Sequence, residues 1–171
     1  MKYIYLLLFF CFIGWKGEAQ SKVYNYVTIK GIVTETSDYC GGAMPNEQVL
    51  EALKTPQPIA GKTIYIKIGS KNSEGKAIYK KLITDSAGCF KVRLKSGQTY
   101  CFVEEWKSKK FIIPKDTDEV KWDAECLRKR FQTADYLLTV KSSRNGMVKI
   151  NFHNRCFYKP YCGEYTGPIP P

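Results

Sequence analysis

The sequence predicts a mainly β fold, a small β-sandwich with one or two short covering helices, and three observations support this. Polar and apolar residues alternate in short segments, as in residues 90–95, where Phe, Val and Leu alternate with Lys and Arg. Turn residues separate these segments at close spacing, as in all-β sandwiches. Hydrophobic residues make up 44% of the 171 residues, which is enough to build a core.

The segment from Ile83 to Trp106 organises this prediction. Thr84–Gly88 has turn chemistry, because the Asp85 carboxylate can accept a backbone N–H and glycine can adopt positive φ. A half-buried strand follows, and residues 96–98 reverse the chain into a second strand that includes Tyr100. This second strand is apolar on both faces at its start, so we expect another element to cover its outer face.

Strands and one helix are expected before this segment. Their predicted ranges are a strand at Val23–Thr36, a helix at Glu47–Lys54, and strands at Lys62–Ile68 and Ala77–Thr84. The three strands are predicted from period-two alternation, and Gly31 is interpreted as a β-bulge in the first. The helix has one apolar face and is capped by Asn46, whose side chain can accept a first-turn N–H.

A helix, a hairpin and a tail are expected after Trp106. Apolar residues recur at helical spacing across residues 119–132, which predicts a helix that covers the sheet. Strands at Tyr136–Lys141 and Met147–His153 flank Asn145-Gly146, a strong hairpin signal. The last residues, 156–171, contain four prolines, so we expect an extended tail held by cysteines.

The strand pattern resembles the carboxypeptidase regulatory-like domain, which is a transthyretin-like (prealbumin-like) Greek-key β-sandwich. The resemblance rests on the turn and strand after Thr84, on Ile29–Thr34 as a first strand and on Pro58–Ile66 as a second. The flanking segments, Tyr39–Pro45 and Tyr165–Pro168, are similar to those of a group of uncharacterised exported bacterial proteins. This resemblance implies a non-catalytic accessory or binding module.

The first residues predict export. A charged start, an apolar run over residues 3–14 and small residues at Gly17 and Ala19 are typical of a secretory signal peptide that is cleaved before Gln20. The alternative is a membrane anchor, for which the apolar run is short. We therefore expect a signal peptide at residues 1–19, a single domain at residues 20–171, no stable membrane span after cleavage, and a secreted or periplasmic location.

Cleavage removes Cys11 and leaves six cysteines, an even number that favours disulfides in an oxidising compartment. The candidates are Cys40, Cys89, Cys101, Cys126, Cys156 and Cys162. Six cysteines allow 15 pairings, and the sequence does not choose among them. We take Cys101 as the nearest candidate partner of Cys126, since a disulfide there would attach the covering helix to the strand that needs a cover.

The chain is basic, with a formal net charge of +11, or +10 without residues 1–19. A basic exported protein can bind an acidic glycan, lipid headgroups or a negatively charged protein, although a solvated surface has the same composition. The expected partner is an unknown envelope protein or glycan. Nucleic acid is not expected, because no nucleic-acid-binding signature occurs.

A metal site is the alternative function. His153, the one histidine, lies close in sequence to Cys156 and Cys162, and imidazole and thiolate ligands suit zinc or copper. Residues three apart on a regular strand face opposite ways, so the chain would have to bend to join these ligands. Pairing would also consume the thiolates, and the leading interpretation therefore includes no cofactor.

No catalytic residues are predicted. The neighbouring carboxylates Glu104 and Glu105 would point apart on a strand and cannot flank one bond. Twelve tyrosines and three tryptophans are many for this length. Some can stack on sugars or line a partner surface; the residues chosen as tentative binding residues are Trp106, Tyr158, Tyr161 and Tyr165. The sequence thus predicts an exported, non-catalytic binding or structural module of the cell envelope.

Overall fold

The computed structural model of the protein describes residues 25–142 and 146–168. Within them the elements are β1 (Tyr26–Ser37), α1 (Glu47–Lys54), β2 (Gln57–Pro58), β3 (Thr63–Ile68), β4 (Lys80–Ile83), β5 (Cys89–Lys95), β6 (Thr99–Val103), α2 (Glu105–Ser108), β7 (Val120–Trp122), α3 (Ala124–Gln132), β8 (Tyr136–Thr139), β9 (Val148–Asn154) and β10 (Gly163–Tyr165). The predicted mainly β class is confirmed. The predicted signal peptide and Asn145 of the predicted turn lie outside the described residues.

β1 is the central strand of the first sheet, and its two halves have different neighbours. β5 runs antiparallel to Tyr26–Ile32, and β2 pairs antiparallel with Thr34 and Glu35. β9 runs parallel to Gly31–Ser37. A late strand thus returns beside the first strand, so the sheet joins segments that are far apart in sequence.

The second sheet has the strand order β4-β3-β6-β8, and all its neighbours are antiparallel. Its inner face packs on the inner face of the first sheet, which makes the fold a β-sandwich. The buried cluster between the sheets comprises Ile29, Val33, Ile64, Ile66, Leu82, Phe90, Val92, Leu94, Tyr100, Phe102, Val140, Val148, Ile150 and Phe152. In the part of the chain described, no helix is long and apolar enough to cross a membrane.

The turn before β5 forms as predicted. The Asp85 carboxylate accepts hydrogen bonds from the N–H groups of Ala87 (3.0 Å) and Cys89 (2.8 Å). Gly88 has φ of +72°, and a Cβ atom there would lie 2.8 Å from the carbonyl oxygen of Val33. Glycine is therefore required at this position for two reasons: the positive φ and the lack of space for a Cβ atom beside the neighbouring strand.

We expect Gly88→Ala to lower the free energy of unfolding by about 3 kcal/mol, since positive φ and a backbone clash add. Gly97→Ala is the matched control, because Gly97 has φ of +76° with nothing within 4 Å of its Cβ position. It should cost only about 1 kcal/mol, the conformational part alone. Urea unfolding of both variants measures the difference, and equal losses would show that the contact with Val33 is unimportant.

Gly31 does not form the predicted bulge. It pairs in regular register with Phe90, and a Cβ atom at Gly31 would overlap the Phe90 ring. The glycine thus makes room for an aromatic side chain that lies across the strand, a role that a sequence pattern does not distinguish from a bulge.

The first predicted helix is confirmed and the second is shorter than predicted. α1 has the predicted range, and the Asn46 side chain accepts the N–H of Val49 at 2.9 Å. The predicted helix at residues 119–132 is wrong in its first turn, where β7 pairs with β10 of the tail. Asp123 then starts α3 by accepting the N–H groups of Glu125 and Cys126, both at 2.9 Å.

The predicted C-terminal hairpin is wrong. β8 pairs with β6 in the second sheet, whereas β9 pairs with β1 in the first. The two strands therefore lie in opposite layers of the sandwich and do not pair with each other. Period-two alternation predicts each strand correctly, but it carries no information about which sheet a strand joins.

Helices cover the outer face of the second sheet, as the apolar strand predicted. Cys101 and Val103 on β6 are both fully buried. Lys67 on β3 is also buried, and its Nζ donates to the Asn72 side-chain oxygen at 2.8 Å. The Asn72 side-chain nitrogen donates to the carbonyl oxygens of Lys107 in α2 and Phe131 in α3, both at 2.9 Å. One asparagine thus links both covering helices to the sheet.

Candidate functional site

Two disulfides hold the C-terminal segment on the sandwich. Cys40 pairs with Cys156, and Cys126 pairs with Cys162. In the part of the chain the structure describes, Cys89 and Cys101 are free thiols.

The predicted partner of Cys126 is wrong. The N–H of Asp123 donates to the carbonyl oxygen of Cys162 at 2.8 Å, which holds the tail beside the start of α3 and brings Cys162 to Cys126. Cys101 instead lies buried on β6, where its thiol contacts the carbonyl oxygen of Lys71 at 3.8 Å.

The residues of the alternative metal site do not act as ligands together. Cys156 and Cys162 are each bonded to another sulfur, so neither offers the thiolate that zinc or copper would need. Both ring nitrogens of His153 are also engaged, Nδ1 with the Thr36 hydroxyl at 3.0 Å and Nε2 with the Asp38 carboxylate at 2.9 Å. The metal site predicted as an alternative is therefore wrong, and these residues have a structural role instead.

The tentative binding residues fall into two groups. Tyr158 and Tyr165 pack with Phe157 in an aromatic cluster, with ring centroids 5.3 to 6.5 Å apart. The Tyr158 hydroxyl donates to the carbonyl oxygen of Tyr39 at 3.4 Å. These contacts brace the tail against the loop that carries Cys40.

Trp106 and Tyr161 meet through Arg130 of α3. The guanidinium carbon lies 3.4 Å from the centroid of the Tyr161 ring and 5.6 Å from that of Trp106. Arg155 approaches Tyr161 as well, at 4.8 Å. Two guanidinium groups thus make cation–π contacts with the same ring.

Arg130, Arg155 and Tyr161 line a cleft of about 610 Å³ between α3, the end of β9 and the tail, and Trp106 lies outside it. Its lining includes Trp122, Arg130, His153, Arg155, Phe157 and Tyr161. Glu104 and Asp135 also line it, and each carboxylate forms an ion pair with a lysine. Glu104 pairs with Lys62 at 2.7 Å, and Asp135 pairs with the buried amine of Lys107 at 2.5 Å.

The outer face of the first sheet is strongly basic. Alternation along β1, β5 and β9 points the core residues inward, so five cations point outward; we call Lys30, Lys91, Arg93, Lys95 and Lys149 the basic face. Lys30 is directly opposite Lys91 in the register, and Arg93 stacks on Tyr26 at 5.7 Å. The outward positions of these three strands hold no Asp or Glu.

Sequence reasoning missed the basic face and the arginine pair. The alternating cations of β5 were visible, but only the strand register adds Lys30 and Lys149 to them. Arg130 and Arg155 belong to a helix and a loop far apart in sequence, and no local pattern brings them together. The net charge was the one available signal, and it does not locate a site.

No protein-family profile matches the chain, and no curated protein matches it. Two solved structures of the shaft pilin spaA from Lactobacillus rhamnosus GG are similar to it. One, of a mutant pilin, has a TM-score of 0.35 at 14% identity and covers 75% of this chain and 51% of the pilin. The other has a TM-score of 0.34 at 11% identity and covers 75% and 49%. The chain spans about half the length of these pilins, and similarity at this level assigns neither a family nor a function.

Proposed function

We propose that this chain is an exported, non-catalytic binding module of the cell envelope that attaches to an anionic polymer through the basic face. The mature protein is a single domain, residues 20–171, left after cleavage of the signal peptide, and it is secreted or periplasmic. Its partner is an envelope glycan or another envelope molecule with dense negative charge.

Export is supported by the chemistry of the cysteines. Cys40 with Cys156 and Cys126 with Cys162 join segments 116 and 36 residues apart. Disulfides of this kind form and persist in oxidising compartments, whereas cytosolic thiols are kept reduced. The charged and apolar pattern of residues 1–19 agrees with the same route.

A carboxypeptidase regulatory-like identity is supported by the segments that suggested it. Ile29–Thr34 lies in β1, Thr63–Ile66 lies in β3, and the Asp85 turn leads into β5. β1 and β5 are paired along seven residues, so the motifs that suggested the family fold together in one sandwich.

The basic face is the observation that carries the proposal. Like charges directly opposite on a sheet destabilise it, and Lys30 opposite Lys91 is such a pair. In the described part of the chain, neither lysine nor Lys149 forms an ion pair with a carboxylate. A sheet face that carries only positive charges attracts polyanions, and the release of the polyanion's counterions makes binding more favourable.

Chromatography on immobilised dextran sulfate, a polyanion, tests this proposal. We expect the triple variant Lys30→Glu/Lys91→Glu/Lys149→Glu to elute at about half the salt concentration of the wild type, because it reverses the charge of the face. The control Lys80→Glu/Lys110→Glu/Lys115→Glu changes the net charge equally at exposed positions outside the face. It should elute close to the wild type, and equal shifts for the two variants would refute attachment through the face.

A further inference from the structure

Arg130 is a half-buried cation without an acceptor. Across residues 25–142 and 146–168 its guanidinium makes no ion pair and no hydrogen bond, and its contacts are the rings of Tyr161 and Trp106. Burial lowers the pKa of Arg130 below its usual value and nearby Arg155 acts in the same direction, whereas Tyr161, Glu104 and Asp135 raise the pKa by a smaller amount. A guanidinium carries five N–H donors, so Arg130 has N–H groups at the cleft that are available to a ligand.

Arg155 presents a second guanidinium to the same cleft. Its only ion pair in the described residues is long, 3.9 Å from Nε to the Asp38 carboxylate, which also holds His153 at 2.9 Å. Both guanidinium groups lie within 5 Å of the Tyr161 ring centroid. Their positive charges repel each other, and the carboxylates of Glu104 and Asp135 offset this only in part, because each of them is also paired with a lysine.

The cleft also offers an aromatic surface. Trp122 and Phe157 line it beside the arginines, and Phe157 is 62% exposed. Sugar rings stack on aromatic faces through their C–H groups, and tryptophan and tyrosine add a polar group at the edge. Two arginine forks bind a carboxylate with two parallel hydrogen bonds each, which a flexible ammonium group does not reproduce.

We propose that this cleft binds the carboxylate of an acidic sugar between Arg130 and Arg155, with the sugar ring against Trp122. The ligand class is a uronate-containing oligosaccharide of a size that a cleft of about 610 Å³ holds. The Tyr161 ring fixes the two guanidinium groups in position, and its hydroxyl is fixed in turn by donation to the carbonyl oxygen of His153 at 2.9 Å. This site goes beyond the basic face and uses none of its residues.

Titration of the disulfide-intact protein with a trigalacturonate tests the site, with tryptophan fluorescence and calorimetry as readouts. The wild type should bind saturably at one site. Arg155→Gln should weaken binding about tenfold, the loss of one charge-assisted contact. Arg130→Gln should weaken it at least as much, and Arg130→Lys should restore only part of the affinity because the planar fork is absent.

Arg128→Gln is the matched control, because Arg128 is an exposed arginine of the same helix that lies outside the cleft. It should bind trigalacturonate like the wild type. Arg155 is exposed, so we expect Arg155→Gln to keep the fold. The melting temperature of this variant checks that expectation, so the test does not depend on the half-buried Arg130 alone. Maltotriose, a neutral trisaccharide, should not bind.

The proposal is overturned if trigalacturonate does not saturate the wild type, if Arg155→Gln binds it unchanged, or if maltotriose binds equally well. Inorganic phosphate binding as tightly as trigalacturonate would likewise refute a sugar site. The proposed attachment through the basic face is tested separately from the proposed sugar site. Its triple lysine variant should still bind trigalacturonate, and Arg155→Gln should still be retained on dextran sulfate like the wild type.

Discussion

Replacing Cys40 and Cys156 together by alanine is expected to lower the free energy of unfolding by about 5 kcal/mol. The disulfide closes a loop of 116 residues, and closing a long loop removes much of the conformational entropy of the unfolded chain. It also anchors the segment after β9, where Cys156 is buried. A loss of this size approaches the total stability of many domains of this length.

The second disulfide provides the matched comparison. Cys126→Ala/Cys162→Ala opens a loop of 36 residues, so its expected cost is smaller, about 4 kcal/mol. Its loss should free the tail strand β10 from β7 while the sandwich remains folded. Cys89→Ala is the control for the loss of a cysteine as such, because Cys89 is a free thiol.

Urea unfolding with and without dithiothreitol measures both effects. The reduced wild type should approach the stability of a variant that lacks all four paired cysteines. Mass spectrometry of the oxidised protein should find the two disulfide-linked peptides predicted by the structure. A Cys40/Cys156 double variant as stable as the wild type would show that this disulfide does not stabilise the native fold.

Replacing Asn72 by alanine is expected to cost about 4 kcal/mol. The change removes the nearer acceptor of the buried Lys67 amine and the donor to the carbonyl oxygens of Lys107 and Phe131. The amine keeps only a longer hydrogen bond to the Lys107 carbonyl oxygen, at 3.3 Å, and the Phe131 carbonyl oxygen loses its side-chain donor; a buried cation and a buried carbonyl with too few partners are both costly. Both covering helices should loosen from the sheet.

Lys67→Met is the control that separates the charge from the packing. Methionine fills a similar volume and removes the buried amine, but the buried Asn72 side-chain oxygen loses its donor, so the expected loss is about 2 kcal/mol, smaller than for Asn72→Ala. Urea unfolding compares the two variants. If Asn72→Ala is no less stable than Lys67→Met, the asparagine is not the link between helices and sheet.

The same lysine gives the network a pH dependence. Burial lowers the pKa of Lys67 below its usual 10.5. Between the lowered folded-state pKa and 10.5 the unfolded chain binds more protons, so the contribution of Lys67 to stability rises with pH across that window. Below the window its contribution is constant and unfavourable. The difference in stability between wild type and Lys67→Met should therefore move in favour of the wild type as the pH rises through this range.

Much of the local structure followed from the sequence. Period-two alternation located β3, β5 and β6, and the carboxylate of Asp85 located the turn before β5. Asn46 located the start of α1 to the residue, because a cap acts within one helical turn. The apolar outer face of β6 also predicted correctly that helices would cover the second sheet.

The failures share one cause. Asn145-Gly146 suggested a hairpin, yet β8 and β9 joined different sheets, since a turn signal does not state which strand is the better partner. The predicted helix at residues 119–132 lacks its first turn because β7 instead pairs with β10 of the tail, where Glu164 lies opposite Lys121. In both cases a long-range contact outweighed a local preference.

The sequence by itself determined the mainly β class, most strand and helix positions, the excess of positive charge and an even set of cysteines after the predicted cleavage. Tertiary structure alone decided which cysteines pair, which lysines share one face, and that Arg130 and Arg155 meet at Tyr161. The physical reason is range. Alternation and capping act between neighbours along the chain, whereas disulfides, sheet register and clefts depend on residues that only folding brings together.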